Sequence, residues 1–119
     1  MMGYPKKGEI YLVNFDPTIG HEAKKKRPAL IISNNIHNQH SPLVTVAPFS
    51  SNTNKVYPFE VYVPKKSTGL NENSKIMIIQ LRSIDKKRLL NKIGNIIEEK
   101  EFLDQINKVI SEHFDLQFS

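Results

Sequence analysis

The sequence predicts a mainly β protein: a small, strongly bent β-barrel or sandwich with a C-terminal amphipathic helix covering one end. Gly, Pro and Asn clusters recur along the chain and separate short runs rich in Val, Ile, Tyr and Phe, the pattern of strands joined by turns. Only the C-terminal part carries a sustained apolar repeat at three- and four-residue spacing. The 119 residues make one domain over 1–119, long enough to bury roughly 65% of the surface the unfolded chain would expose. Strands first and a closing helix last give the architecture.

"EIYLVNF" (residues 9–15) alternates, with Ile10, Leu12 and Asn14 on one side and Tyr11, Val13 and Phe15 on the other. "PALIIS" (28–33) is a continuous apolar run suited to a strand buried on both faces. "LVTVAPF" (43–49) and "YPFEVYV" (57–63) follow, the second with Pro58 at its beginning, where a missing N–H costs least. "SKIMIIQLRSI" (74–84) completes five strands. Asp85 can cap a brief helix over "KKRLLNK" (86–92), with Gly94 closing it, and "KIGNI" offers a further strand. From Glu98 onward Phe102, Ile106, Val109, Ile110 and His113 or Phe114 share a helical face, with acids in the first turn. That makes about four turns. Repeats, linkers and low-complexity segments are absent.

Lys plus Arg number 17 against 12 Asp plus Glu, a net charge of +5, the excess expected of a chain that meets a polyanion. The absence of cysteine excludes a disulfide framework, a thiolate nucleophile and a zinc knuckle, and suits a reducing compartment, so a cytoplasmic location is expected. The start, "MMGYPKKGEIYLV", lacks the apolar run of a secretory signal, and no segment approaches the ~18 apolar residues that span a bilayer. A soluble protein with no membrane partner is expected.

His37 and His40 lie three apart in the polar stretch "NNIHNQHSP", with no further ligand nearby in sequence, which points to surface residues and no metal site. His21 differs, lying beside Glu22 in the loop that opens "DPTIGHEAKKKRPALIIS" (16–33), where contact with a ligand is one reading. Glu98, Glu99 and Glu101 read as a solvated helix end. No P-loop, dinucleotide fingerprint or serine elbow is present, and no cofactor is expected.

The run of four cations from Lys24 to Arg27 stops at Pro28 and a string of aliphatics. A guanidinium at the start of a buried strand loses freedom while its N–H donors stay available to a phosphate. The alternative is a structural arginine pairing with a loop acid or with carbonyls. After "VTVAP" the chain reads "FSSNTNK", so Ser50 and Ser51 leave the end of another strand as hydroxyls. A hydroxyl and a guanidinium form a minimal oxyanion-binding pair.

Four blocks, "GEIYLVNFDPTIGHEAKKKRPALIIS", "SPLVTVAPFSS", "YPFEV" and "QLRSIDKKRL", appear in order from Gly8 toward the C-terminal helix. They resemble the MazF/PemK family of messenger-RNA interferases, endoribonuclease toxins of bacterial toxin–antitoxin pairs. The resemblance implies an SH3-like barrel with short helices, a homodimer, and cleavage of single-stranded RNA without metal or cofactor. It places the family's catalytic arginine on Arg27 and its catalytic threonine on Ser50, which keeps the oxygen and loses the methyl that stiffens χ1. Ile79 stands where members of the family often have an acid. Gln80 and Arg82 match and are implied to face RNA. So are His21, Glu22, Lys24, Lys25 and Lys26 of the loop, and Ser51. The same basic groove would attract the acidic or disordered tail of a cognate antitoxin.

The chemistry implied is attack by the substrate's own 2′-OH, leaving a cyclic phosphate and a 5′-OH. For the proton acceptor His21, water and the arginine itself stay open. Two other classes share parts of the pattern: a non-catalytic nucleic-acid-binding barrel, which has no need of the Arg27 and Ser50 pair, and a gyrase-poisoning toxin of the CcdB type. The latter relies on its C-terminal helix for target contact, and here that segment ends "HFDLQFS" without an evident binding motif.

Overall fold

A computed structural model describes residues 3–117; Met1, Met2, Phe118 and Ser119, and with them the limits of the 1–119 domain and the end of "HFDLQFS", lie outside the described residues. The elements run β1 (Glu9–Asn14), β2 (Lys26–Ile31), α1 (Asn35–His40), β3 (Leu43–Ser50), β4 (Glu60–Val63), α2 (Lys65–Thr68), β5 (Ser74–Met77), β6 (Arg82–Asp85), β7 (Leu89–Asn95) and α3 (Lys100–His113). All strand pairs are antiparallel, in the order β4-β5-β3-β2-β1-β7, with β6 also on β3. Among the described residues β4 and β7 share no ladder, so the expected barrel is a strongly bent sheet rather than a closed ring.

The bend follows from strand composition, because β1, β2 and β3 bury alternate residues on opposite faces. Ile10, Leu30, Ala47 and Phe49 join one core with Val61, Ile76, Ile78, Ile106 and Val109, while Val13, Phe15, Ala29, Ile31, Val44 and Val46 join a second with Ile84. A sheet apolar on both sides must curl or be covered on both. Helix α3 covers the first core with Ile106 and Val109, flanked by half-buried Phe102, Leu103 and Ile110, as its periodicity predicts, but it begins at Lys100 rather than Glu98, and His113 and Phe114 at its end are exposed.

Three local expectations are corrected. The run over 74–84 is two strands, β5 and β6, joined by a 3₁₀ turn at Ile78–Gln80. Phe49 pairs with Ile76 and Val46 with Arg82, so three steps along β3 correspond to six along its partner. The turn takes up the surplus. Residues 57–63 give a strand only over Glu60–Val63, since Tyr57 and Phe59 stack on one another at 5.1 Å in an exposed turn instead.

The brief helix after Asp85 shrinks to one 3₁₀ turn, Lys86–Arg88, which Asp85 does cap by accepting from Lys87 N at 2.8 Å. Leu89–Asn95 is strand β7, held by pairing with β1. Gly94 lies within it, where α2 approaches too closely for a side chain: a Cβ there would overlap the Thr68 carbonyl oxygen. Two short helices went unpredicted. Asn34 caps α1 by accepting from His37 N at 2.8 Å, and Gly69 ends α2 in the left-handed region at φ 83°.

Candidate active site

Strands β2 and β3 pair from Ile31↔Val46 to Ala29↔Pro48 and then part. Pro28 and Pro48 stand at that point without N–H groups to extend the ladder, and the end of β3 turns away to pair with β5 at Phe49 and Ser50. Arg27 and Ser50 lie just beyond the last pair of that ladder, at the mouths of the two diverging strands, and line the same cavity. The half-buried Arg27 side chain enters the gap: Nε donates to Lys24 O at 3.1 Å and Nη1 to Phe49 O at 3.4 Å. Carbonyl pairing, the structural alternative at this position, is therefore present, yet it uses two of the five guanidinium N–H groups and leaves three.

Ser50 Oγ accepts from Asn52 N at 3.2 Å, which orients the hydroxyl and leaves its proton free to donate. Arg27, Ser50 and Ser51 line one open cavity of about 750 Å³ with Asn52 and the α2–β5 connection, Gly69 to Glu72. Among the described residues Arg27 is the one cation in that lining and Glu72 the one anion. Lys75, cross-strand from Ser50, is engaged elsewhere: it bridges Glu60 at 3.0 Å and donates to Lys55 O at 2.8 Å.

His21, Glu22, Gln80 and Arg82 line a second cavity, about 410 Å³, with Phe15 and Ile79. The Gln80 amide is committed to the β1–β2 loop, accepting from Ala23 N at 2.6 Å and donating to His21 O at 3.4 Å. Arg82 donates to Phe15 O at 3.5 Å and lies 5.9 Å from the centre of the Phe15 ring. Both residues thus hold the loop that joins the two cavities. Ala23 belongs to one and Arg27 to the other, four residues apart, which limits that span to about 14 Å.

Lys24, Lys25 and Lys26 are exposed and line neither cavity. Lys25 sits in the left-handed region at φ 63°, with its N–H donating to Asp16 Oδ1 at 2.9 Å and its carbonyl accepting from Phe15 N at 2.9 Å. The loop backbone is fixed while the lysine side chains project. His37 and His40 lie on exposed α1, and among the described residues no group of three His, Cys, Asp or Glu is placed to hold a metal. Among them, too, no helix is long and apolar enough to cross a membrane.

The α2–β5 wall is what the sequence did not reveal. "TGLNENS" reads as a turn cluster, and nothing in its spacing ties it to Arg27 more than forty residues away.

Fold and cavities together define a small basic protein on a bent antiparallel sheet, with a strand-anchored guanidinium in the wall of an open cavity. The chain belongs to the PemK-like, MazF-like toxin family of type II toxin–antitoxin systems, which residues 6–114 match. It is similar to Endoribonuclease MazF9 of Mycobacterium tuberculosis, 38% identical over 116 residues, covering 93% of this chain and 97% of the relative. It is also similar to Endoribonuclease EndoA of Bacillus subtilis, 33% identical over 106 residues, with 88% and 90% covered. The crystal structure of MazF from Deinococcus radiodurans has the same fold, with TM-score 0.81 at 25% identity, covering 96% of this chain and 99% of that one. The family read from the four sequence blocks is borne out.

Proposed function

We propose that this protein is an endoribonuclease toxin that cuts single-stranded RNA by attack of a 2′-OH on the adjacent phosphorus. The observation that carries the reading is Arg27, held at two points by Lys24 O and Phe49 O in the wall of the cavity that Ser50 also lines. In the reaction the O2′–P bond forms as the P–O5′ bond breaks; the 2′-hydroxyl gives up its proton and the departing 5′ oxygen takes one up. The products are a 2′,3′-cyclic phosphate and a 5′-OH. RNA supplies its own nucleophile, so the protein contributes orientation and stabilisation of the pentacoordinate centre. The three free N–H groups of Arg27 and the Ser50 proton are suited to the non-bridging oxygens, and a preorganised donor of this kind is worth roughly 100- to 1,000-fold.

Lys24, Lys25 and Lys26 neutralise flanking phosphates. Ser51 extends the phosphate site, and His21, Glu22 and Arg82 meet neighbouring nucleotides in the second cavity. The chain acts as a single domain, in the cytoplasm, as a homodimer that extends the short groove of one copy. The acidic or disordered tail of a cognate antitoxin competes for that groove, in keeping with the family's place in toxin–antitoxin systems.

The test is incubation of the pure protein with single-stranded RNA, and with DNA of the same sequence, in EDTA. RNA is cut and DNA is not. A single deoxyribose 5′ of the cut stops cleavage at that bond, and continued cutting there sinks the mechanism. Light scattering gives about twice the chain mass of 13.7 kDa.

A further inference from the structure

The larger cavity exceeds what a phosphate needs. Its volume of about 750 Å³ lies within the roughly 300–1,000 Å³ of pockets that enclose whole organic ligands. Across from the β2 and β3 ends its wall is the α2–β5 connection, and most polar side chains there are used to build it. Thr68 Oγ donates to Lys65 O at 3.3 Å and accepts from Leu70 N at 3.0 Å; Asn73 Oδ1 accepts from Lys65 N at 2.9 Å; Ser74 Oγ donates to Glu72 O at 3.2 Å. Asn71 and Glu72 differ. They line the cavity, they are exposed, and among the described residues neither side chain has an intramolecular hydrogen bond or ion pair. A short, internally braced loop thus presents one free amide and one free carboxylate to the compartment that holds Arg27.

A carboxylate there repels a phosphate, so its place in an RNA site makes chemical sense toward a base. Unpaired RNA exposes its Watson–Crick edges. Guanine presents two adjacent donors on that edge, N1–H and N2–H, which match the two oxygens of a carboxylate. Adenine and cytosine present one amino group beside an acceptor, and uracil one N–H between two carbonyls. Asn71 adds the donor that Glu72 lacks, which the guanine O6 accepts.

We infer that Asn71 and Glu72 form a base-reading subsite that selects guanine beside the phosphate held by Arg27. The inference rests on the proposed RNA-cleaving function, and a binding measurement on RNA that cannot be cut separates the two. Pentanucleotides with 2′-O-methyl riboses, identical except for guanine, inosine or adenine at one position, are titrated with the full chain for each position in turn. At one position guanine binds about 10- to 100-fold more tightly than adenine, with inosine between, the discrimination of a good bidentate base contact. Glu72→Ala equalises the three. Glu72→Gln transfers the preference to adenine, because a carboxamide donates and accepts side by side. In parallel, sequencing the 5′-OH ends from a random RNA pool shows guanine enriched at one position for the wild type and not for Glu72→Ala. Equal binding of guanine and adenine by the wild type, or discrimination unchanged in Glu72→Ala, overturns the subsite. Guanine-selective binding without any cut RNA keeps the subsite and overturns the cleavage function.

Discussion

Arg27 makes no hydrogen bond to Ser50; it donates to the carbonyl of Phe49, the residue before it, at 3.4 Å. The strand that carries the hydroxyl is thereby the strand that holds the guanidinium, so the spacing between the two donors is set by that hydrogen bond and one peptide unit. Because Nε is also tied to Lys24 O, the side chain is anchored to both the loop and the sheet. This double anchoring is the physical content of preorganisation at the site.

Replacing Arg27 with Ala removes the one cation that lines the larger cavity among the described residues. Single-turnover cleavage is expected to fall by about 100-fold or more, with little change in binding of a 2′-deoxy substrate. Arg27→Lys does not rescue it, because an ammonium cannot hold two carbonyls and still present a fork. Lost affinity with an intact single-turnover rate would make Arg27 a docking residue. Ser50→Ala costs less, about 10- to 100-fold, and Ser50→Thr is neutral or faster.

Gln80 gives a separable prediction, since both ends of its amide hold the β1–β2 loop. Gln80→Ala is expected to free that loop, raising limited proteolysis within residues 16–25 and weakening RNA binding. Gln80→Glu keeps the acceptor for Ala23 N and loses the donor to His21 O, so it restores part of the protection. Wild-type proteolysis rates in Gln80→Ala would show that the loop is held by its own backbone turns alone.

What the sequence made legible was local. The α3 stripe of Phe102, Ile106, Val109 and Ile110 is set by periodicity, and the burial of "PALI" on both faces by an uninterrupted apolar run. The break at Ile78–Gln80 was hidden because it is fixed by the register of β5 and β6 on β3, a non-local relation. "LLNK" read as helix because Leu and Lys favour one; pairing with β1 overrides that preference. Arg27 and Ser50 each stood out at a strand end, yet their sharing of one cavity depends on how β2 and β3 pair and part. Gln80 and Arg82 matched a family pattern that marks positions, while their bonds to loop backbone appear only in three dimensions.

Tyr11 links stability to alkaline pH. Its hydroxyl lies 3.3 Å from Glu9 Oε1, and burial first, then the Glu9 charge and that hydrogen bond, raise its pKa above the ordinary 10.0. The folded state holds this proton more tightly than the unfolded state. The contribution is therefore fully present below pH 10 and lost as pH rises through the folded value. Tyr11→Phe is expected to be less stable at pH 8 by about 1 kcal/mol, with the gap narrowing above pH 10. Urea unfolding of both proteins from pH 8 to 11 checks this; a gap that stays constant means Tyr11 does not titrate in the transition.

Gly94 couples the sheet to the cavity wall. It lies on β7 where the carbonyl of Thr68 leaves no room for a Cβ, and the obstacle is backbone, which cannot rotate away as a side chain can. Thr68 is buried and its hydroxyl orders the start of the α2–β5 connection through Leu70 N. Gly94→Ala must therefore push the end of α2 outward and carry Asn71 and Glu72 with it. A loss of about 1–3 kcal/mol is expected from the overpacking, together with weakened RNA binding. Ile106→Ala serves as the control, since it empties core beneath α3 at a cost of about 2–5 kcal/mol and is not itself among the residues that line the cavity. Compared under conditions where both variants are folded, Gly94→Ala should bind RNA less well than Ile106→Ala although it is the more stable of the two. If binding instead follows stability across the pair, the close approach at Gly94 matters only to folding, and the wall is positioned by its own hydrogen bonds.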